Sequence, residues 1–475
     1  MRISANKANA SKDQTLDRTL ATKARACRPA LWISALLVFT CFWPLRIQAQ
    51  TTEQETLNPA AEAGQRDKNP PQTREELLRQ KREEKAENLV APKQGIVENY
   101  AKSFDRKGSN SIEDINFRGF HPRLEWIARG SGAALGVRYW KPETFGPVDL
   151  MGAAFYSWRR YQHYDLQMGV IPNRGKRIPP RSFETEEVEQ LGDIEREAFS
   201  RFKLYANGRF RDRTEESFYG TGPDSLEENR ARYRIKDTLI EAVTGYQLTR
   251  RIGFTFKAGL LHHTLRPGRS TPPLEPLFDE LDLPGNSNPP NYVRYHTSVL
   301  FDYRDTPGLP HQGAMIAFGW EKFDNVNTKN QFNFNRFGLD ARGYIPLGAH
   351  QRVIALRAVA INSDPASSNR VPFFLQPSLG GGESLRGYDS FRFQGDKMLL
   401  LQGEYRWEAS RRFELAFFGD TGTVADQGSR LSINKMKSDA GIGFRFKSSR
   451  TTLFRLDIAR SNEGVHFQVR VSPAF

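Results

Sequence analysis

The chain has 475 residues, a mean hydropathy of −0.61 and 38% hydrophobic residues, too little apolar sequence for a polytopic helical membrane protein built from runs of about 20 apolar residues. A transmembrane barrel is not excluded, because only every second residue of its strands faces lipid, and 12% aromatic residues suit interfacial girdles. The formal charge of +14 raises nucleic-acid binding, but the basic residues are dispersed through alternating segments and no nucleic-acid motif is present. An arginine-lined lumen or contact with lipopolysaccharide uses that charge instead.

Residues 1–49 read as an export leader. A basic stretch containing Arg2, Lys7, Arg18 and Arg28 precedes an apolar run from Ala30 to about Leu45, and Ile47-Gln48-Ala49 offers a cleavage site before Gln50. An uncleaved inner-membrane anchor is the rival, but the run is short and broken by Pro44. A lipoprotein site at Cys41 is a poorer fit, because Phe39 and Thr40 are not the small residues it needs. Both cysteines, Cys27 and Cys41, lie in this segment, so its removal leaves a thiol-free chain suited to an oxidising periplasm.

Residues 50–110 read as a charged periplasmic linker. Pro70-Pro71 stiffen it, and Thr73 with Glu76 matches a capping box that would start a short exposed helix over Glu75–Glu87. Its apolar content is too low for a core.

From about residue 111 to 475 the texture is that of an all-β transmembrane antiparallel barrel. Segments of about ten residues alternate apolar and charged positions between Gly, Pro, Asn and Asp. In Tyr292–Asp305, Tyr295, Val299, Phe301 and Tyr303 oppose Arg294, His296, Asp302 and Arg304. Ile316, Phe318 and Trp320, then Ile442, Phe444 and Phe446, then Phe454, Leu456 and Ile458 continue the outward set. With the first strand at about Arg123–Tyr139, about 350 residues remain, or about sixteen strands at roughly 22 residues per strand and connection. The pattern fails between Asn173 and Asp193, which reads as a loop. The last strand, Val465–Val471, places Val465, Phe467, Val469, Val471 and the terminal Phe475 on one parity.

Catalytic motifs are missing: the sequence has no His-Glu-x-x-His, Cys-x-x-Cys or Gly-x-Ser-x-Gly. His262 and His263 are adjacent, so in a strand they face opposite sides and do not share a metal. The expectation is no enzyme, no metal and no cofactor.

One stretch is distinctive. Pro377–Trp407 opens with Gly380-Gly381-Gly382, passes through Leu385-Arg386-Gly387-Tyr388 and ends in the strand Glu404-Tyr405-Arg406-Trp407. Three landmarks accompany it: Phe218-Tyr219-Gly220-Thr221-Gly222-Pro223-Asp224-Ser225, Asp302-Tyr303-Arg304-Asp305 as a strand end, and Phe418-Gly419-Asp420-Thr421-Gly422 as another. Together these resemble the BamA/TamA-type outer-membrane assembly family, the bacterial surface antigen barrel, over roughly residues 115–475. The segment before the barrel has neither the length nor the pattern of the soluble periplasmic modules that members of that family often carry.

The resemblance implies that Pro377–Trp407 contains a loop folded into the barrel. Strand parity puts Glu404 with Gln402 and Arg406, and Asp420 with Glu414, on the lumen face. By the resemblance Arg386 pairs with Asp420, Glu404 or both, as a bidentate guanidinium can and lysine cannot. Gly387 would allow a tight turn and Tyr388 would pack on the lumen wall. Phe467, Val469, Val471 and Phe475 resemble an outer-membrane insertion signal. The implied function is assembly or translocation of outer-membrane components in a Gram-negative-type outer membrane, with nascent outer-membrane proteins or a secreted partner as clients and lipid or lipopolysaccharide around the wall. A passive pore, a surface antigen barrel and a lipid-handling or secretion-partner barrel are the alternatives.

Overall fold

The computed structural model describes residues 118–170 and 202–470, apart from 271, 276, 307, 329–330, 349–350, 367–368 and 448–451. The readings of leader, linker, the loop Asn173–Asp193, Val471 and Phe475 lie outside these residues. No helix among the described residues is long and apolar enough to cross a membrane.

Among the described residues eighteen strands follow in chain order. They are β1 (Phe120–Trp126), β2 (Ala133–Phe145), β3 (Val148–Ser157), β4 (Gln162–Val170), β5 (Phe202–Phe218) and β6 (Ala231–Thr249). Next come β7 (Ile252–Pro267), β8 (Tyr292–Asp302), β9 (Gly313–Asn325), β10 (Phe334–Leu347) and β11 (Arg352–Pro365). The short β12 (Ser378–Leu379) and β13 (Phe393–Gln394) precede β14 (Lys397–Glu408), β15 (Phe413–Ala425), β16 (Lys437–Lys447), β17 (Thr452–Ser461) and β18 (Gly464–Arg470). Sixteen of them form one antiparallel sheet in sequence order, with β12 and β13 paired separately inside the loop between β11 and β14. This up-and-down order of sixteen strands is that of the antiparallel transmembrane barrel expected from the alternation.

Each wall strand has one buried and one exposed face. On β14, Gln402, Glu404 and Arg406 are buried while Leu401 and Trp407 are exposed; on β15, Glu414 and Asp420 are buried while Phe413 and Phe417 are exposed. Charge therefore faces the lumen and aromatic and aliphatic side chains face lipid, the only arrangement that solvates both. His262 and His263 fall on opposite faces, His263 buried.

Two expectations change. The span Arg123–Tyr139 is not one strand: it breaks at Gly130 and Gly132, whose φ of 76° and 66° suit glycine, so β1 and β2 are separate. Nor are all strands about ten residues long, since β5, β6 and β7 have 17, 19 and 16. At about 3.3 Å per residue, the longest spans roughly 60 Å, about twice the hydrocarbon thickness, so these strands project beyond the bilayer.

The projecting ends carry a core. Phe218, Tyr233, Tyr292, Phe323 and Phe334 from the wall pack with Phe373 and Phe374 of the loop between β11 and β14, and Leu274 and Leu283 of the connection 268–291 join them. The connections at this end include 219–230, 268–291 and 366–396, whereas 146–147, 250–251 and 409–412 turn at the other. Longer loops mark the extracellular end. Among the described residues no ladder joins β1 to β18, so both are edges of the sheet.

Candidate functional site

The loop 366–396 leaves β11 and turns into the lumen. Gly380 (φ 114°) and Gly381 (φ 91°) make the reversal, and the Gly380 N–H donates to Ser384 Oγ at 2.8 Å. Leu379, Leu385, Tyr388 and Phe393 then pack on the inner faces of β11, β14 and β15 through Val359, Leu400 and Val424. Burying these apolar side chains is worth about 1.5–3 kcal/mol each, enough to order a loop of this length only if its polar groups are also met.

They are met at Arg386, which is 1% exposed. Its Nε donates to Asp420 Oδ2 at 2.7 Å and its Nη2 to Asp420 Oδ1 at 2.7 Å, a two-point fork. Its Nη1 donates to Glu404 Oε1 at 2.6 Å. The guanidinium also lies 3.4 Å from the centroid of the Phe418 ring. Both carboxylates named from parity thus share this arginine. Glu404 also accepts from Arg406 Nε at 2.8 Å and from Arg445 Nη2 at 2.7 Å. Asp457 Oδ2 stands 3.8 Å from Arg386 Nη1.

Arg445, Asp457 and Phe418 are the members that sequence reasoning missed. Alternation already puts Arg445 and Asp457 on inward faces, but only the register of β14 to β17 brings them to the height of Arg386. Phe418 to Gly422 is not a strand end but the middle of β15, paired on both sides, which is why Asp420 sits at the depth the loop reaches.

Gly387 plays a different part from the one its sequence suggests. It is not among the positive-φ residues. A Cβ there would come 2.6 Å from Asp439 Cβ and 3.1 Å from Ser461 Cβ, so glycine is needed for close approach to β16 and β17 rather than for turning. Tyr388 Oη donates to Asn462 Oδ1 at 2.6 Å, tying the loop to the β17–β18 hairpin.

The segment 218–225 meets the same loop. Gly222 N–H donates to Gln394 O at 2.7 Å, Tyr219 Oη donates to Asp389 at 3.2 Å, and Ser225 accepts from Arg392 Nη1 at 2.9 Å. Phe218 is in the aromatic core, Gly220 and Gly222 have φ of 95° and 93°, and Asp224 pairs with the exposed Lys435 at 2.6 Å. Arg392 also donates to Glu463 at 2.9 Å, and Arg129 of the β1–β2 connection donates to Ser378 Oγ at 3.1 Å. One loop is thus fastened to the wall at β14–β15, to the extracellular β5–β6 connection and to the hairpins at both ends of the sheet.

Asp302, Arg304 and Asp305 stand apart from it. Asp302 holds Arg304 through Nε and Nη2, both at 3.0 Å, and Asp305 Oδ1 accepts the His311 N–H at 3.0 Å, which shapes the turn between β8 and β9. In that turn His311 Nε2 lies 2.8 Å from Glu408 Oε1, and this hydrogen bond raises the imidazole pKa above its usual value despite partial burial. Phe467 and Val469 point outward from β18. No group of side chains suited to a metal ion occurs among the described residues.

A family model described as the Omp85 superfamily domain matches residues 197–475. Among solved structures, the chain is similar to BamA from Haemophilus ducreyi lacking POTRA domains 1-3, at 16% identity and a TM-score of 0.52, covering 74% of this chain and 68% of that one. It is also similar to CdiB from Escherichia coli, at 10% identity and TM-score 0.44 over 76% of this chain and 69% of that one. CdiB from Acinetobacter baumannii follows at 13% identity and TM-score 0.41, over 72% and 57%. No curated protein matches in sequence. At 16% identity, the likeness to BamA is one of fold.

Proposed function

Since this chain belongs to the Omp85 superfamily, we propose that it is a non-enzymatic outer-membrane barrel that assembles or translocates outer-membrane components through the seam between β1 and β18. The observation that carries this reading is a contrast within one sheet. The loop is locked to β14 and β15 by Arg386 and reaches the hairpins at both ends, while the two end strands have no ladder to each other among the described residues. A locked loop holds the wall in shape, and an unpaired edge is a template for another strand. Arg386, Gly387, Tyr388, Glu404 and Asp420 form the lock in this proposal, and Phe467 and Val469, with Val471 and Phe475, direct insertion of the chain itself. Residues 1–49 act as export leader and 50–110 as linker. Nascent outer-membrane proteins or a secreted partner are the clients, and lipopolysaccharide contacts the outward face.

The aromatic core between wall and loops speaks against a passive pore, because it fills the extracellular end of the lumen with side chains. The test is photocrosslinking from Leu124 on β1 and Phe467 on β18 to newly exported outer-membrane proteins. Crosslinks from both edges are expected. Crosslinks from neither edge, with an unchanged outer-membrane proteome after depletion, would discard the seam as a working surface.

A further inference from the structure

The outward face of the wall changes character along β6 and β7. Upward from the turn 250–251, the exposed side chains of β6 include Leu248, Tyr246 and Ile240, and those of β7 include Phe254, Phe256 and Leu260. At the next rung Thr238 of β6 stands between Phe210 of β5 and His262 of β7. The Phe210 ring lies 6.1 Å from that of the exposed Tyr164 on β4. Aromatic side chains at the end of an apolar stretch mark the membrane interface of a barrel. From Leu248 to Thr238 the strand runs about 33 Å, and a tilt of about 40° reduces this to roughly 25 Å of height, the thickness of an outer-membrane apolar band.

Above that rung the same face is basic. Lys236, Arg234 and Arg232 follow at alternate positions of β6, and Arg266 is the ladder partner of Arg234. Each two-residue step of tilted strand rises about 5 Å, so the three β6 cations stand about 5, 10 and 15 Å above the apolar band. That ladder is taller than the headgroup layer of a phospholipid leaflet, about 5–7 Å, and suits a headgroup built of sugars.

Two carboxylates stand beside it. The buried Asp212 accepts from Arg234 Nε at 2.8 Å and lies 3.6 Å from Lys236. Glu215 accepts the backbone N–H groups of Arg269 and Ser270 at 2.9 and 3.0 Å. Arg232 and Arg266 have no ion pair among the described residues. Being partly or fully exposed, these cations need no counter-ion to fold, and it is their height on the lipid-facing side that points to a ligand. The same side is not basic everywhere: on β9 Lys322 is paired with Asp324 at 2.8 Å, and the outward end of β11 presents Asn362 and Asp364.

We propose that Arg232, Arg234, Lys236 and Arg266 dock the phosphorylated sugar headgroup of an outer-leaflet glycolipid of the lipopolysaccharide type. Guanidiniums fork onto its phosphate oxygens, while its acyl chains lie along Phe210, Ile240 and Leu260 directly below. This gives the lipid contact of the proposed function a place on the wall, away from β1 and β18 in the strand order. It rests on the outer-membrane placement of the chain and not on the seam.

The test uses the full chain folded in neutral detergent micelles. Bisphosphorylated lipid A is titrated, then its dephosphorylated form, and bound lipid is counted by native mass spectrometry. The wild type is expected to bind the bisphosphorylated form at least about tenfold more tightly, and Arg232→Gln/Arg266→Gln to lose at least about tenfold in that affinity. Arg460→Gln, at an exposed arginine of β17, should lose none. A phosphate preference that survives in the double variant overturns the assignment to this face, and equal binding of the two lipids by the wild type overturns phosphate recognition altogether. Both results are independent of crosslinking at β1 and β18, so the failure of this site and that of the seam are told apart. If the double variant does not fold, photocrosslinkers at Thr264, the ladder partner of Lys236, and at Asn362 are compared in otherwise unaltered protein in outer membranes. At least about threefold more lipopolysaccharide is expected at Thr264, and equal capture overturns the proposal.

Discussion

Replacing Arg386 by alanine isolates the contact that fastens the loop. The substitution removes the fork to Asp420, the bond to Glu404 and the stacking on Phe418. Its consequences for the two acids differ. Glu404 keeps Arg406 and Arg445, so its charge stays compensated. Asp420 keeps the Gln402 amide at 3.2 Å as a side-chain donor, but it faces Asp439 directly across the ladder to β16. Stranding one buried partner of an ion pair costs about 3–5 kcal/mol, and the loss here falls mainly on Asp420. Arg386→Lys keeps the charge but not the planar fork and is expected to lose about half as much.

The assay is urea unfolding of the barrel in lipid vesicles, read by the gel mobility difference between unheated and boiled protein. The double variant Arg386→Ala/Asp420→Asn is expected to lose at least about 1.5 kcal/mol less than the sum of the singles, because the neutral amide no longer needs the arginine. An Arg386→Ala protein within about 0.5 kcal/mol of wild type, or additive losses in the cycle, would refute the reasoning that this arginine holds the loop.

Three further outcomes follow from the same geometry. Gly387→Ala drives a Cβ into Asp439 and should cost about 1–3 kcal/mol, whereas Gly208→Ala, where nothing lies within 4 Å, should cost under about 1 kcal/mol; paired unfolding curves check the difference. The raised pKa of His311 means that its pair with Glu408 is fully present below about pH 6.5 and is lost as pH rises through the folded value. Because both groups are partly exposed, the effect is under about 1 kcal/mol, and the unfolding midpoint should fall between pH 5.5 and 8 in wild type but less in His311→Gln. Equal slopes in the two proteins would remove the pair from the account. Finally, planar-bilayer recordings should show a quiet wild type and steady conductance once residues 373–394 are replaced by a short Gly-Ser linker; steady conductance by the intact barrel would contradict the filled extracellular end.

Much of this architecture was legible in the chain because alternation is a local property. Each strand must show one face to lipid and one to the lumen, so Trp407 and Phe417 declare the outside and Glu404 and Asp420 the inside without knowledge of any neighbour. Gly380 and Gly381 likewise announce a reversal wherever they stand. Parity does not reveal where one strand ends within Arg123–Tyr139, since a tight Gly-Ser-Gly turn between strands of similar texture leaves little mark.

What the residues by themselves determined is therefore which way each side chain points. Their heights along the barrel axis were decided only by the ladder registers, which depend on pairing between segments far apart in the chain. That is why Arg386 with Asp420 and Glu404 could be expected from the sequence, while Arg445 and Asp457 beside them and the close approach of Gly387 to β16 emerged only when the strand registers set those side chains level.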